Sequence, residues 1–266
     1  MNPLRLKFSQ GIPALLDWIL SGEAAERNSN ETAKYLLAKG AIANLKNADG
    51  ETPLHLVLDR EIAELLIANG AEVNAMTNQG LTPLLAQVLS PKIFGSAQVT
   101  SSDGRILSDV LAEKSVETAR LLIANGAEVN VKGDEDVTPL LAATAINNTE
   151  MVNLLISHGA DVQAKTKDGR STLQFACAAG NKLLIQVFLE KGVDIQGKDN
   201  DGSTALHRVS IEGNKEIAQL LLEKGADLNA KNNEGKTPLD VAKNLKFADF
   251  LRKIAGSINI QSKPRS

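Results

Sequence analysis

The chain has 266 residues, 43% hydrophobic and 23% charged, the balance of a soluble globular protein with room for one large or two small domains. Six Phe, one Trp and one Tyr are its only aromatic residues, so Leu, Ile, Val and Ala must fill the interior in thin, closely packed layers. A formal charge of −3 with so few rings argues against nucleic-acid binding, no run of 18 apolar residues could span a membrane, and the lone Cys177 can neither close an internal disulfide nor hold a metal alone, so the cytoplasm is the expected compartment.

At the N-terminus Arg5 and Lys7 precede the apolar stretch Ile12–Leu20, as in a signal peptide. Asp17 and Trp18 interrupt that stretch, and no small-residue cleavage site follows at Gly22–Arg27. Residues 1–49 read as capping helices and a degenerate first unit, with Leu15, Leu16, Trp18 and Ile19 facing inward.

Residues 50–255 are organised by a repeat. Gly50-Glu51-Thr52-Pro53-Leu54-His55 returns with its Thr or Ser at 82, 138, 171, 204 and 237, giving spacings of 30, 56, 33, 33 and 33. The 30 is a unit missing three residues, and the 56 is a unit of 33 with 23 inserted. A second motif, Leu-Leu or similar followed two residues later by Gly-Ala (Gly-Val at 192), keeps step at Gly40, Gly70, Gly126, Gly159, Gly192 and Gly225. Leu65–Asn74 and Leu121–Asn130 are identical, which points to internal duplication.

Each element has a physical reading. Thr caps a first helix, such as Pro139–Ile146, and Pro takes its first position, where the missing N–H costs nothing. A turn on Asn147-Asn148, Gly180-Asn181 or Gly213-Asn214 leads to a second helix, apolar at helical spacing in Ile217, Leu220, Leu221 and Leu222. The Gly of Gly-Ala ends that helix, and a polar stretch such as Asn229–Lys236 is long enough for a protruding hairpin. The insertion falls between the two helices of the third unit, at about 90–114; Ile106, Leu107, Val110 and Leu111 predict an outer helix extended at its N-terminal end, after a loop. Phe247, Phe250 and Leu251 close the last unit, and residues 256–266 read as a disordered tail.

These two motifs in phase resemble the ankyrin repeat family, whose unit is 33 residues with a Thr-Pro-Leu-His motif; the resemblance covers residues 12–255. It implies an all-α solenoid of about seven helix-turn-helix units with protruding β-hairpin loops. Asp136 departs from the hairpin Gly, Ser171-Thr172 from Thr-Pro, and Ala205 from Pro. His55 and His207 occupy the motif's His, where the resemblance implies a structural bridge between loops.

Other chemistry finds little support. Gly235-Lys236-Thr237 mimics a phosphate-binding loop, but Ala230 stands where a second Gly is needed. No His-x-x-x-His or Cys-x-x-Cys pair exists for a metal, and Cys177 reads as a small core filler. His158 reads as a complement to a helix C-terminus. Asp199-Asn200-Asp201-Gly202 suggests a calcium loop but is out of register, and reads as a hairpin tip. The sequons at Asn30 and Asn147 carry meaning only after secretion. Lys46, Met76, Lys132, Lys165, Lys198 and Lys231 form a column with two readings: a contact row for an acidic partner, or solvated lysines whose field Asp134, Glu135, Asp168, Asp201 and Glu234 cancel.

The resemblance implies a non-enzymatic scaffold without cofactor, a monomer that binds a protein partner of unknown identity and neither nucleic acid nor membrane. The alternative is a regulatory or inhibitory partner of an enzyme, or a secreted effector that engages a host protein. In family geometry the inner-helix ends line the concave groove, here Ala145, Ile146, Ala178, Ala179, Ile211 and Glu212. Lys167, Arg170, Asn200, Ser203, Asn233 and Lys236 would form a polar rim on the hairpins.

Overall fold

The structure is a computed structural model and describes residues 29–94 and 107–262. These residues form twelve α-helices and one short 3-10 turn, with no strand among them, as the all-α expectation requires. The helices are α1 (Ser29–Ala38), α2 (Pro53–Leu56), α3 (Arg60–Ala68), α4 (Pro83–Phe94), α5 (Leu107–Ala124) and α6 (Pro139–Ala145), followed by α7 (Thr149–Ser157), α8 (Thr172–Ala178), α9 (Lys182–Glu190), α10 (Ala205–Glu212), α11 (Lys215–Glu223) and α12 (Leu245–Ser262). The chain divides into two compact units, Met1–Asp134 with Asn153–Gly159 and Glu135–Val152 with Ala160–Ser266.

The second unit is regular. The Thr138 hydroxyl accepts the Leu141 N–H at 3.3 Å to start α6, with Pro139 at the first position. Ser171 and Gln174 form a reciprocal capping box on α8, so the exchange of Thr-Pro for Ser-Thr leaves the helix start intact; the Thr172 hydroxyl donates to the Val162 carbonyl instead. Asn181 and Asn214 cap the outer helices α9 and α11 through their side-chain oxygens. Asn147 makes the turn after α6 with φ 62°, a left-handed conformation that Asn tolerates better than most residues. Each outer helix closes with a six-to-one bond, Val193 N–H to Phe188 O and Ala226 N–H to Leu221 O. Leu173, Ala176, Leu184, Ile185, Phe188, Val209, Ile217 and Leu221 are buried between the layers. Each large member contributes about 2 kcal/mol by leaving water.

The first unit departs from this pattern. Its short second repeat gives an inner helix, α2, of only four residues, after which Val57 is extended (φ −80°, ψ 128°). The carbonyls of Val57 and Leu58 therefore lack helical partners. The neighbouring repeat supplies them: Gln87 on α4 donates to the Val57 carbonyl at 2.9 Å, and Thr118 on α5 donates to the Leu58 carbonyl at 2.8 Å. Both side chains are fully buried. In one column the other repeats carry Val57, Ala143, Ala176 and Val209; in the other they carry Ile62, Met151, Leu184 and Ile217, with Thr32 in the first repeat. Two core positions are thus polar where a neighbour lost a helical turn.

The insertion lengthens both helices of the third repeat: α4 has 12 residues and α5 has 18. Its connecting loop, and the expected cap at Leu15, Leu16, Trp18 and Ile19, lie outside the described residues. In the last repeat the motif at Thr237 makes a single turn in place of an inner helix, with the Asp240 carboxylate accepting both the Thr237 N–H and its hydroxyl at 2.8 Å. Helix α12 continues to Ser262, into the stretch read from composition as disordered. Gly256 costs it roughly 1 kcal/mol, but no stop signal appears before Pro264.

Candidate functional site

The fingers that join successive repeats are tight turns, not paired strands. In the second unit the Thr166 N–H bonds the Arg170 carbonyl and the Gly169 N–H bonds the Thr166 carbonyl, with one isolated bridge between Lys165 and Ser171. A single cross-pair is too short for a ladder. Fingers instead bond to their neighbours: Lys167 N–H to Glu135 O, Asn200 N–H to Asp168 O, and Asn233 N–H to Asp201 O. Asn200 and Asn233 add side-chain bonds, to the carbonyls of Lys167 (2.9 Å) and Asn200 (2.8 Å). This close approach explains Gly169 and Gly202, since a Cβ on either would stand 2.8 Å from the backbone nitrogen of the next tip Asn. Asp136 sits in the same place with φ 58°, and there the facing residue is Lys167, not Asn.

The motif histidines bridge loops. In the first unit His55 Nδ1 accepts the Thr52 N–H at 3.1 Å and Nε2 donates to the Leu81 carbonyl at 3.1 Å. In the second, His207 does the same between Thr204 and Lys236. Gln174 reproduces both bonds with an amide, accepting from Ser171 N–H and donating to the Ser203 carbonyl. Burial lowers the His55 pKa, since the charged imidazolium would lose both water and its acceptor nitrogen. His158 Nδ1 lies 2.9 Å from the Leu154 carbonyl, at the end of α7.

The lysine column is structural where its bonds are seen. Lys46 donates to Met76 O, Lys165 to Lys198 O, and Lys198 to Lys231 O, each lysine holding the carbonyl of its counterpart one repeat on. Asp199 likewise serves its own loop: one oxygen accepts the Asp201 and Ser203 N–H groups, and the other holds Arg208 at 2.6 Å. Cys177 is fully buried, and burial pushes its thiol far above the usual range, leaving a core filler with no thiolate for chemistry. No group of His, Cys, Asp and Glu among the described residues is arranged to hold a metal ion. No described helix is long and apolar enough to cross a membrane.

All the residues singled out as groove and rim fall in the second unit. Ala145, Ala178, Ile211 and Glu212 are exposed at the ends of α6, α8 and α10, whereas Ile146 and Ala179 are half-buried. Ile211 is 50% exposed, a large apolar side chain left in water. The finger bonds bring Lys167, Asn200 and Asn233 together in one row. Lys236 is exposed and Arg170 half-buried. Ser203 is buried at 7% and lends its carbonyl to Gln174, so its side chain offers little to a partner. Two residues on this face escaped the sequence reading: Phe175, with the Arg170 guanidinium 5.2 Å from its ring centre, and the half-buried Arg208. Their column reads Ala142, Phe175, Arg208 and Val241, and such variation between repeats was the available signal.

A family model described as ankyrin repeats (3 copies) matches residues 22–90, 107–199 and 181–263, passing over the interrupting segment. Among solved structures, the ankyrin repeat domain of Bcl-3, described as a unique member of the IkappaB protein family, superposes with a TM-score of 0.66. It is 25% identical, over 90% of this chain and 97% of that one. The human ASB11 ankyrin repeat domain gives a TM-score of 0.69 at 22% identity, over 92% of this chain and 98% of that one. No curated protein matches the chain in sequence.

Proposed function

Because the chain belongs to the ankyrin repeat family, whose repeats generally serve as protein–protein interaction modules, we propose that it is a non-enzymatic scaffold that grips a partner protein with the second unit. The ends of α6, α8 and α10 form the floor, through Ala145, Ile146, Ala178, Ala179, Ile211 and Glu212. Lys167, Arg170, Asn200, Asn233 and Lys236 form the rim on the fingers.

The observation that carries this reading is Ile211, half exposed beside small side chains in the same column of neighbouring repeats. Ala145 and Ala178 leave room for a partner's side chains, and an apolar patch with a polar rim is the usual anatomy of an interface. The fingers are tied to one another by main-chain and Asn bonds, so the rim is preorganised and loses little entropy on binding.

The test is the double variant Ile146→Asp with Ile211→Asp, assayed by thermal melting and by co-purification with mass spectrometry. The expected result is loss of a stoichiometric partner with a melting temperature close to that of the parent. Severe destabilisation would instead assign the two isoleucines to the core.

A further inference from the structure

Resting on that reading, the charges around the floor restrict what the partner can be. Four of the cations around it each hold a carboxylate. Arg170 pairs with Asp168 at 2.6 Å, Arg208 with Asp199 at 2.6 Å and Asp201 at 3.6 Å, Lys236 with Glu234 at 2.7 Å, and Lys167 with Glu135 at 3.6 Å. The Lys236 bond is strong enough to hold the Glu234 carboxyl below the usual carboxylate range.

Glu212 differs. It ends α10 next to Ile211, and among the described residues its carboxylate enters no hydrogen bond or ion pair. Lys243 comes near but donates to the Glu212 backbone carbonyl, at 3.3 Å. Arg208, one turn back on α10, is held by Asp199 and acts on Glu212 only at longer range. The negative end of the helix dipole lies here as well, and it is Lys243, bonded to the terminal carbonyl, that complements it, while Glu212 adds nothing to the helix end. Partial burial beside the apolar helix ends raises the Glu212 pKa, with Arg208 pulling the other way. The one carboxylate on the floor is thus left without a partner of its own.

We propose that the occupant of this face is a protein segment that lays apolar side chains on Ala178 and Ile211 and sets a lysine or arginine against Glu212. Such a cation neutralises the Glu212 carboxylate, with which the nearby Lys243 does not pair because its ammonium is bonded to the backbone carbonyl at the end of α10. An exposed pair adds modest affinity, but it rejects an acidic segment strongly, so Glu212 acts mainly on specificity.

Random peptides displayed on phage, selected in parallel on the full chain and on its Glu212→Lys variant, test this. Peptides from the parent are expected to share a Lys or Arg at fixed spacing from apolar residues, and those from Glu212→Lys to carry Asp or Glu there. A parent-selected peptide should weaken about threefold on Glu212→Gln and about tenfold on Glu212→Lys, with the melting temperature of neither variant lowered. Peptides that lose binding to Ile211→Asp, yet carry no cation and bind all three forms equally, would overturn the Glu212 assignment and leave the groove reading standing. Peptides indifferent to Ile211→Asp as well would overturn both.

Discussion

In the second unit the inner helices α6, α8 and α10 run seven or eight residues; in the first, α2 stops after four and α4 continues for twelve. Both units bury the same column of large apolar side chains, Leu66 and Leu122 in one, Phe188 and Leu221 in the other. What differs is how the backbone is satisfied. Where the inner helix is complete, its own ladder takes up the carbonyls and the facing core is apolar, as at Ala143 and Met151. Where it is cut short, Gln87 and Thr118 reach across from the next repeat. A repeat protein can therefore absorb a deletion if its neighbour turns two core positions polar, because a buried carbonyl without a donor costs more than the changed side chains do.

The sharpest way to break this comparison is to remove the core column in each unit separately. Leu66→Ala and Leu221→Ala are both expected to cost about 3 kcal/mol in denaturant unfolding, since both side chains are fully buried. A loss well under 2 kcal/mol for Leu66 alone would show that the irregular unit is loosely packed and that its bridging bonds carry the load. Next in size are the bridges. Gln87→Leu and Thr118→Val should each cost about 1 kcal/mol: Gln87→Leu strands the buried Val57 carbonyl but also removes the Gln87 Oε1, which is buried without a partner, and Thr118→Val strands the half-buried Leu58 carbonyl. If either substitution were neutral, the deletion would need no compensation and the two departures from regularity would be unrelated.

The smallest effect concerns the loop bridges, which use His55 in the first unit and both His207 and Gln174 in the second. His55 has its pKa lowered in the folded chain, so its contribution is complete above the unfolded value of about 6.5 and is lost as pH falls through the folded value. His55→Gln copies Gln174, which makes both bonds without titrating. Its melting temperature should match the parent near pH 7.5 and fall less steeply toward pH 5. Parallel melting curves for parent and variant across that range would remove His55 from the acid response.

Much of this was legible in the chain. Helix starts at Thr138 and Thr204, turns at Asn147 and Gly213, and stops at the Gly-Ala pairs depend on residues adjacent in sequence, so local chemistry was enough to read them. The missing and inserted residues were visible as spacings of 30 and 56. Gln87 stood out as a polar residue in a column that is apolar in the other five motif copies, whereas Thr118 shares its column with Thr32.

Three features are visible only in the tertiary structure. The lysine column was open between a contact row and solvated lysines, and the bonds that Lys165 and Lys198 donate to carbonyls one repeat away are seen only in the fold. Ser203 looked like a rim residue until its burial showed. Glu212, expected on the groove floor, has a carboxylate that neither Arg208, held by Asp199, nor Lys243, held by the Glu212 backbone carbonyl, pairs with. In each case the sequence fixes which groups exist and how far apart they lie along the chain. Whether a donor meets an acceptor depends on residues about thirty positions apart, brought within about 3 Å by the stacking of one repeat on the next, and that distance is set by packing.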